Sequence, residues 1–128
     1  MAEIKISELS IGDWVEWKVY DKTYVIRITQ ITDTIMRGVH DGIEYGVLLK
    51  QISPIPLTPE ILEKNGFSHN GRKWYTPELF TLERWGDDWS IVIACSCGEY
   101  VCEVCTIKYV HQLQHALRLA GVVKEIVL

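Results

Sequence analysis

The 128-residue sequence predicts an α+β protein in two parts. Three observations predict it. Short segments of period-two polarity, separated by turn residues, fill most of the chain. A proline-rich break, Ser53-Pro54-Ile55-Pro56-Leu57, interrupts them near the middle and leads into helix-start residues. A single longer amphipathic stretch, Ile107–Ala120, follows the last strand pattern. The expected architecture is a small N-terminal β-barrel or curled sheet over residues 1–57. Residues 58–128 supply a short linking helix and a β-meander packed against a C-terminal helix, the whole being two domains or one continuous one.

In the first part, Asp13-Trp14-Val15-Glu16-Trp17-Lys18 alternates so that Trp14 and Glu16 share one face and Val15 and Trp17 the other. Asp21-Lys22 supplies a turn. Thr23–Ile31 then sets Tyr24, Ile26 and Ile28 against Val25, Arg27 and Thr29. Thr34–Val39 and Ile43–Leu49 flank His40-Asp41-Gly42, where Asp-Gly suits a tight hairpin. A sheet of four or five short strands cannot cover its own core while flat, so curling or closure is expected.

The two prolines of the break make a stiff joint. Thr58 is the expected N-cap, Pro59 the first helical residue and Asn65-Gly66 the helix stop. Beyond it, an Asn70-Gly71 turn is expected to pair His69 with Arg72 and Phe67 with Trp74. Glu78–Trp85, Trp89–Ser96 and Tyr100–Ile107 complete the meander, with a turn at Gly86-Asp87-Asp88. In the helix, Tyr109, Val110, Leu113, Ala116, Leu117 and Ala120 share an apolar face. His111, Gln114, His115 and Arg118 fall opposite. Gly121 ends the helix, leaving Val122–Leu128 as a terminal strand or docking tail.

Composition narrows the function. With 48% apolar and 23% charged residues the chain is not of disordered type. A net charge of −4 argues against nonspecific nucleic-acid or anionic-membrane binding. The opening MAEIKISELS lacks the pattern of a secretory signal, and the longest apolar run, Ile91–Cys95, is far short of the ~20 residues that span a bilayer. A cytoplasmic protein is expected.

Chemistry-bearing residues are few. Cys95, Cys97, Cys102 and Cys105 form a C-x-C-x4-C-x2-C cluster, a set of ligand types that suits zinc. With Gly98-Glu99 as a two-residue hairpin loop, Cys95 pairs with Cys102, and alternation leaves Cys105 on the face away from the other three. Buried structural thiols, a zinc site and a redox pair all fit this cluster, structural thiols being favoured in a reducing compartment. His111 and His115 stand one turn apart and could join a metal set, although Gln112 occupies the place of the glutamate in an H-E-x-x-H motif. There is no G-x-S-x-G, P-loop or G-x-G-x-x-G motif, and Asp87-Asp88 reads as a solvated turn. Trp14 and Trp17, three apart in a strand, face opposite ways, so one of them lies outside the N-terminal core. The surface of the first sheet is therefore the expected binding site.

Three segments carry a resemblance. Gly12-Asp13-x-Val15, then Pro54-Ile55-Pro56-Leu57-Thr58-x-x-x-Leu62 leading to Gly66-Phe67, and Tyr109-Val110-His111-Gln112-Leu113-Gln114 together resemble a family of small proteins from bacteria and their phages or mobile elements. The resemblance implies a shared two-part build and brings no assigned activity; the cysteine-rich hairpin departs from its pattern. The N-terminal strand run resembles a small SH3-like barrel. The expectation is a non-enzymatic binding or accessory protein without a cofactor, its partner a protein or peptide. The alternative is a zinc- or thiol-dependent protein centred on the cysteines.

Overall fold

The computed structural model describes residues 4–77, 80–94 and 101–128 of the chain. Among the described residues ten strands and two α-helices follow one another in an α+β arrangement, and the chain divides into two compact units, Met1–Pro56 and Leu57–Leu128. Leu57, counted with the first part on sequence, belongs to the second. Its N–H donates to the Lys108 carbonyl at 2.9 Å, and its own carbonyl accepts from the Trp89 indole N–H at 3.2 Å. No helix among the described residues is long and apolar enough to cross a membrane.

The first unit holds β1 (Trp14–Val19), β2 (Lys22–Ile31), β3 (Met36–His40), β4 (Ile43–Gly46) and β5 (Ile52–Ser53). They form one antiparallel sheet in the order β4-β3-β2-β1-β5. The sheet is open, so the SH3-like barrel form of the expectation is not realised. The strand that would close it, β5, is two residues long and is spent pairing with Glu16 and Trp17, leaving no ladder to meet β4.

Alternation along β1 and β2 has the predicted phase. Val15 and Trp17 lie opposite Ile26 and Tyr24, and Ile26 and Ile28 are fully buried. Ile4, Leu9, Met36, Val47 and Ile52 complete this core. The β1–β2 turn is Tyr20-Asp21, one residue earlier than expected, because Lys22 already pairs with Val19. The Asp41-Gly42 turn has positive φ at both residues, +50° and +75°, as a type I′ hairpin requires. The strand β4 ends at Gly46, three residues before the expected Leu49, which lies in a 3-10 turn, Leu49–Gln51.

The second unit opens with α1 (Pro59–Lys64), capped as the sequence predicts: the Thr58 hydroxyl accepts from the Ile61 N–H at 3.3 Å. Its sheet runs β10-β9-β8-β7-β6, built from β6 (Ser68–Asn70), β7 (Lys73–Tyr75), β8 (Thr81–Trp85), β9 (Asp88–Ala94) and β10 (Val101–Ile107). Two turns differ from expectation by one residue. The first is Gly71-Arg72, pairing His69 with Trp74, and the second is Gly86-Asp87, with Asp88 already in β9. In both, glycine takes the positive φ of the first turn position, at +63°, as in a type II′ turn, which pulls the loop onto the glycine.

The final helix, α2 (Val110–Leu119), starts later than predicted because Ile107 is still paired with Trp89. Gln112 closes its start, its side-chain oxygen accepting from the N–H groups of Lys108 (2.8 Å) and Tyr109 (3.1 Å). Val122–Leu128 forms no strand and docks instead. Ile126 is buried, and the Asn65 amide binds Val127 twice, accepting from its N–H (2.7 Å) and donating to its carbonyl (2.8 Å). Asn65→Ala is expected to lower stability by about 2 kcal/mol and to release the tail, read as faster amide exchange at Val127.

Candidate functional site

On the inner face of the first sheet the apolar core takes in Trp17, and aromatic side chains pack against it. Trp17 from β1, Tyr24 from β2 and Tyr45 from β4 meet there. The Trp17 ring centroid is 5.7 Å from Tyr24 and 5.2 Å from Tyr45, at interplanar angles of 41° and 42°. His40 from β3 approaches Tyr24 edge-on at 5.0 Å. These rings line a cavity of about 400 Å³, completed by Val19, Tyr20, Asp21 and Lys22 of the β1–β2 hairpin. That volume lies in the ordinary range for a ligand-binding cleft.

Backbone register explains the convergence. Trp17 lies directly opposite Tyr24, and Gly38, between Ile28 and Tyr45 in the ladder, has no Cβ, its place on that face being taken by the Ile26 side chain. Hydrogen bonds hold two of the rings. The Gln51 side-chain oxygen accepts from the Trp17 indole N–H (3.2 Å) and from the Leu48 N–H (3.1 Å), tying the indole to the 3-10 turn. The Val25 carbonyl can only accept, so His40 Nδ1, 2.9 Å away, carries the proton that binds it. His40 Nε2 then faces the Asp41 carboxylate at 3.4 Å.

Tyr20 is the unusual residue at the rim. It is fully exposed and has φ +56°, a left-handed conformation in which a bulky side chain is strained by about 1–2 kcal/mol. Tyr20→Gly is accordingly expected to raise stability by about 1 kcal/mol in urea unfolding.

Of the two tryptophans singled out on sequence, Trp17 reaches this cavity while remaining 9% exposed. Trp14 lies on the other face, half-buried beneath the Arg27 guanidinium, which sits 5.5 Å from its ring centroid. Tyr24, His40, Tyr45, Tyr20 and Asp21 were not singled out. Parity in the strands signalled that Tyr24 shares a face with Trp17; nothing in the sequence signalled that a cavity stays open beside them.

The cysteine cluster divides. Cys95 and Cys97 lie outside the described residues, as does the Gly98-Glu99 turn. Cys102 lies opposite Ile93, not Cys95, since Val101 pairs with Ala94. A bulge between Glu103 and Cys105 then places Cys105 opposite Ile91. Cys102 and Cys105 thus pair with β9 residues two apart, and the strict alternation that set Cys105 aside on sequence is broken there by the extra residue. His111 is buried rather than exposed, because α2 buries a wide face that includes Gln114 beside Val110, Leu113 and Leu117. It stacks with Tyr109 at 6.0 Å and meets the half-buried His115 at 5.8 Å. Among the described residues no group of three or more His, Cys, Asp or Glu is gathered to hold a metal ion.

Comparison with protein-family models, with curated proteins and with solved structures finds no match in any of the three.

Proposed function

We propose that the first unit is a non-enzymatic protein-interaction module whose aromatic cavity holds a segment of a partner polypeptide. The convergence of Trp17, Tyr24 and Tyr45 on one cavity carries this reading. Aromatic rings offer large contact area at little cost in conformational entropy, and two rings here are already oriented by hydrogen bonds. Selection of a displayed random-peptide library on the full chain tests it. Enriched peptides should bind the wild type and Trp14→Ala alike, and should bind Tyr45→Ala at least about tenfold more weakly. Absence of enrichment, or equal binding to Tyr45→Ala, would refute it.

A second reading, zinc held by Cys95, Cys97, Cys102 and Cys105, draws its support from the register of β10 alone. Metal analysis of protein purified without chelator decides it. Close to one equivalent supports the reading, and less than about a tenth retires it.

A further inference from the structure

We propose that the partner polypeptide binds as an added β-strand along the free edge of β4, an inference that rests on the docking reading above. β4 is the outermost strand at one end of the first sheet. The Val47 N–H donates to the Met36 carbonyl at 2.9 Å, and backbone groups in an antiparallel ladder alternate in direction. Tyr45 and Ile43 therefore turn their N–H and C=O groups toward β3, where they lie opposite Gly38 and His40. Glu44 and Gly46 turn theirs away from the sheet, and among the described residues no strand lies beyond them.

Natural sheets guard such edges with short strands, prolines, bulges or lysines. Among the described residues the other three edges of the two sheets carry guards of this kind. β5 is two residues long and runs into Pro54. β6 is three polar residues, Ser68-His69-Asn70, and β10 is bulged between Glu103 and Cys105. β4 has no proline, lysine or bulge. Its one charge, Glu44, is held by Arg37 at 3.1 Å, and Ile43 is 56% exposed.

This edge selects an extended guest. A helix keeps its main-chain hydrogen bonds to itself, and a run of prolines has no N–H to give the outward carbonyls. An extended segment presents N–H and C=O groups at every second residue, which matches Glu44 and Gly46. Its side chains alternate with the same period. Tyr45 lines the cavity, and Ile43, two residues before it, shares its face. Guest side chains on that face meet an exposed isoleucine and the aromatic wall, so apolar residues at alternate positions fit them. Edge and cavity join at Tyr45, which is why the occupant is the segment that fills the cavity.

The test uses the full chain and a peptide enriched from the displayed library. Replacing the amides of the bound segment one at a time by N-methyl amides should weaken binding about tenfold at every second residue and leave the intervening ones unchanged. Bound peptide should slow amide exchange at Glu44 and Gly46 by at least about tenfold. Gly46→Pro removes one outward N–H and spares the β3 ladder, and a Cβ there meets nothing within 4 Å. It should unfold in urea like the wild type and bind the peptide about tenfold more weakly. An N-methyl profile without alternation, or unchanged exchange at Glu44 and Gly46, overturns strand addition. If Tyr45→Ala still weakens that peptide, the docking reading stands. A free chain that dimerises in sedimentation, with Gly46→Pro monomeric and the peptide unable to compete, also overturns it and assigns the edge to a second copy. If no peptide is enriched, both readings fall.

Discussion

Gly38→Ala is expected to cost about 2–3 kcal/mol in denaturant unfolding and to distort the aromatic cavity. A Cβ built on Gly38 lies 2.6 Å from Ile26 Cγ1, 2.8 Å from its Cδ1 and 3.0 Å from the Arg27 carbonyl oxygen. Ile26 is fully buried and cannot swing into solvent, and the carbonyl belongs to the neighbouring strand. The strain must therefore move β3 away from β2. Gly38 lies opposite Tyr45, so the displacement also shifts one wall of the cavity. Removing the clashing atoms with Ile26→Ala gives the control. That change alone costs about 3 kcal/mol through the hole it leaves, but the double variant should cost less than the sum because the new methyl fills part of it. Strict additivity would show that Gly38 is not a close-approach position.

In the second unit the largest loss is expected from Trp89→Ala, about 4 kcal/mol. Trp89 is 1% exposed and meets Trp74 edge-on at 5.8 Å, and Arg84 packs over its ring. Its N–H donates to Leu57, the residue where the chain enters this unit. Trp89→Phe keeps an aromatic ring and the edge-on contact but leaves the buried Leu57 carbonyl without that donor, for a loss of about 1–2 kcal/mol. Amide exchange in β7 to β9, resolved residue by residue, reads both variants in the unit they affect. A Trp89→Phe loss as large as that of Trp89→Ala would place the energy in the hydrogen bond and not in packing.

Local features of the sequence carried far into the structure. The α+β class, the phase of Trp14–Val19 and of Tyr24, Ile26 and Ile28, the Asp41-Gly42 turn and the Thr58-Pro59 helix start follow from chain-local rules. Side-chain period, left-handed φ and capping each involve only a few neighbouring residues. The turns at Tyr20-Asp21 and Gly71-Arg72 each admit two framings one residue apart in the sequence. There the register is set by cross-strand pairing and not by the turn residues alone. His111 is buried for a related reason: helical periodicity identifies the most apolar face, while the width of the buried face depends on what surrounds the helix.

The sequence by itself determined which residues alternate, where the backbone turns and where helices begin, because these are short-range steric and hydrogen-bonding choices. Tertiary structure alone decided that the sheet stays open, that β10 bulges before Cys105, and that Trp17, Tyr24, His40 and Tyr45 line one cavity. Those outcomes depend on how other segments cover an inner face. Ile4, Leu9, Val47 and Ile52 pack with Trp17 on this one, and no local pattern in the aromatic residues encodes that a cavity stays open beside them.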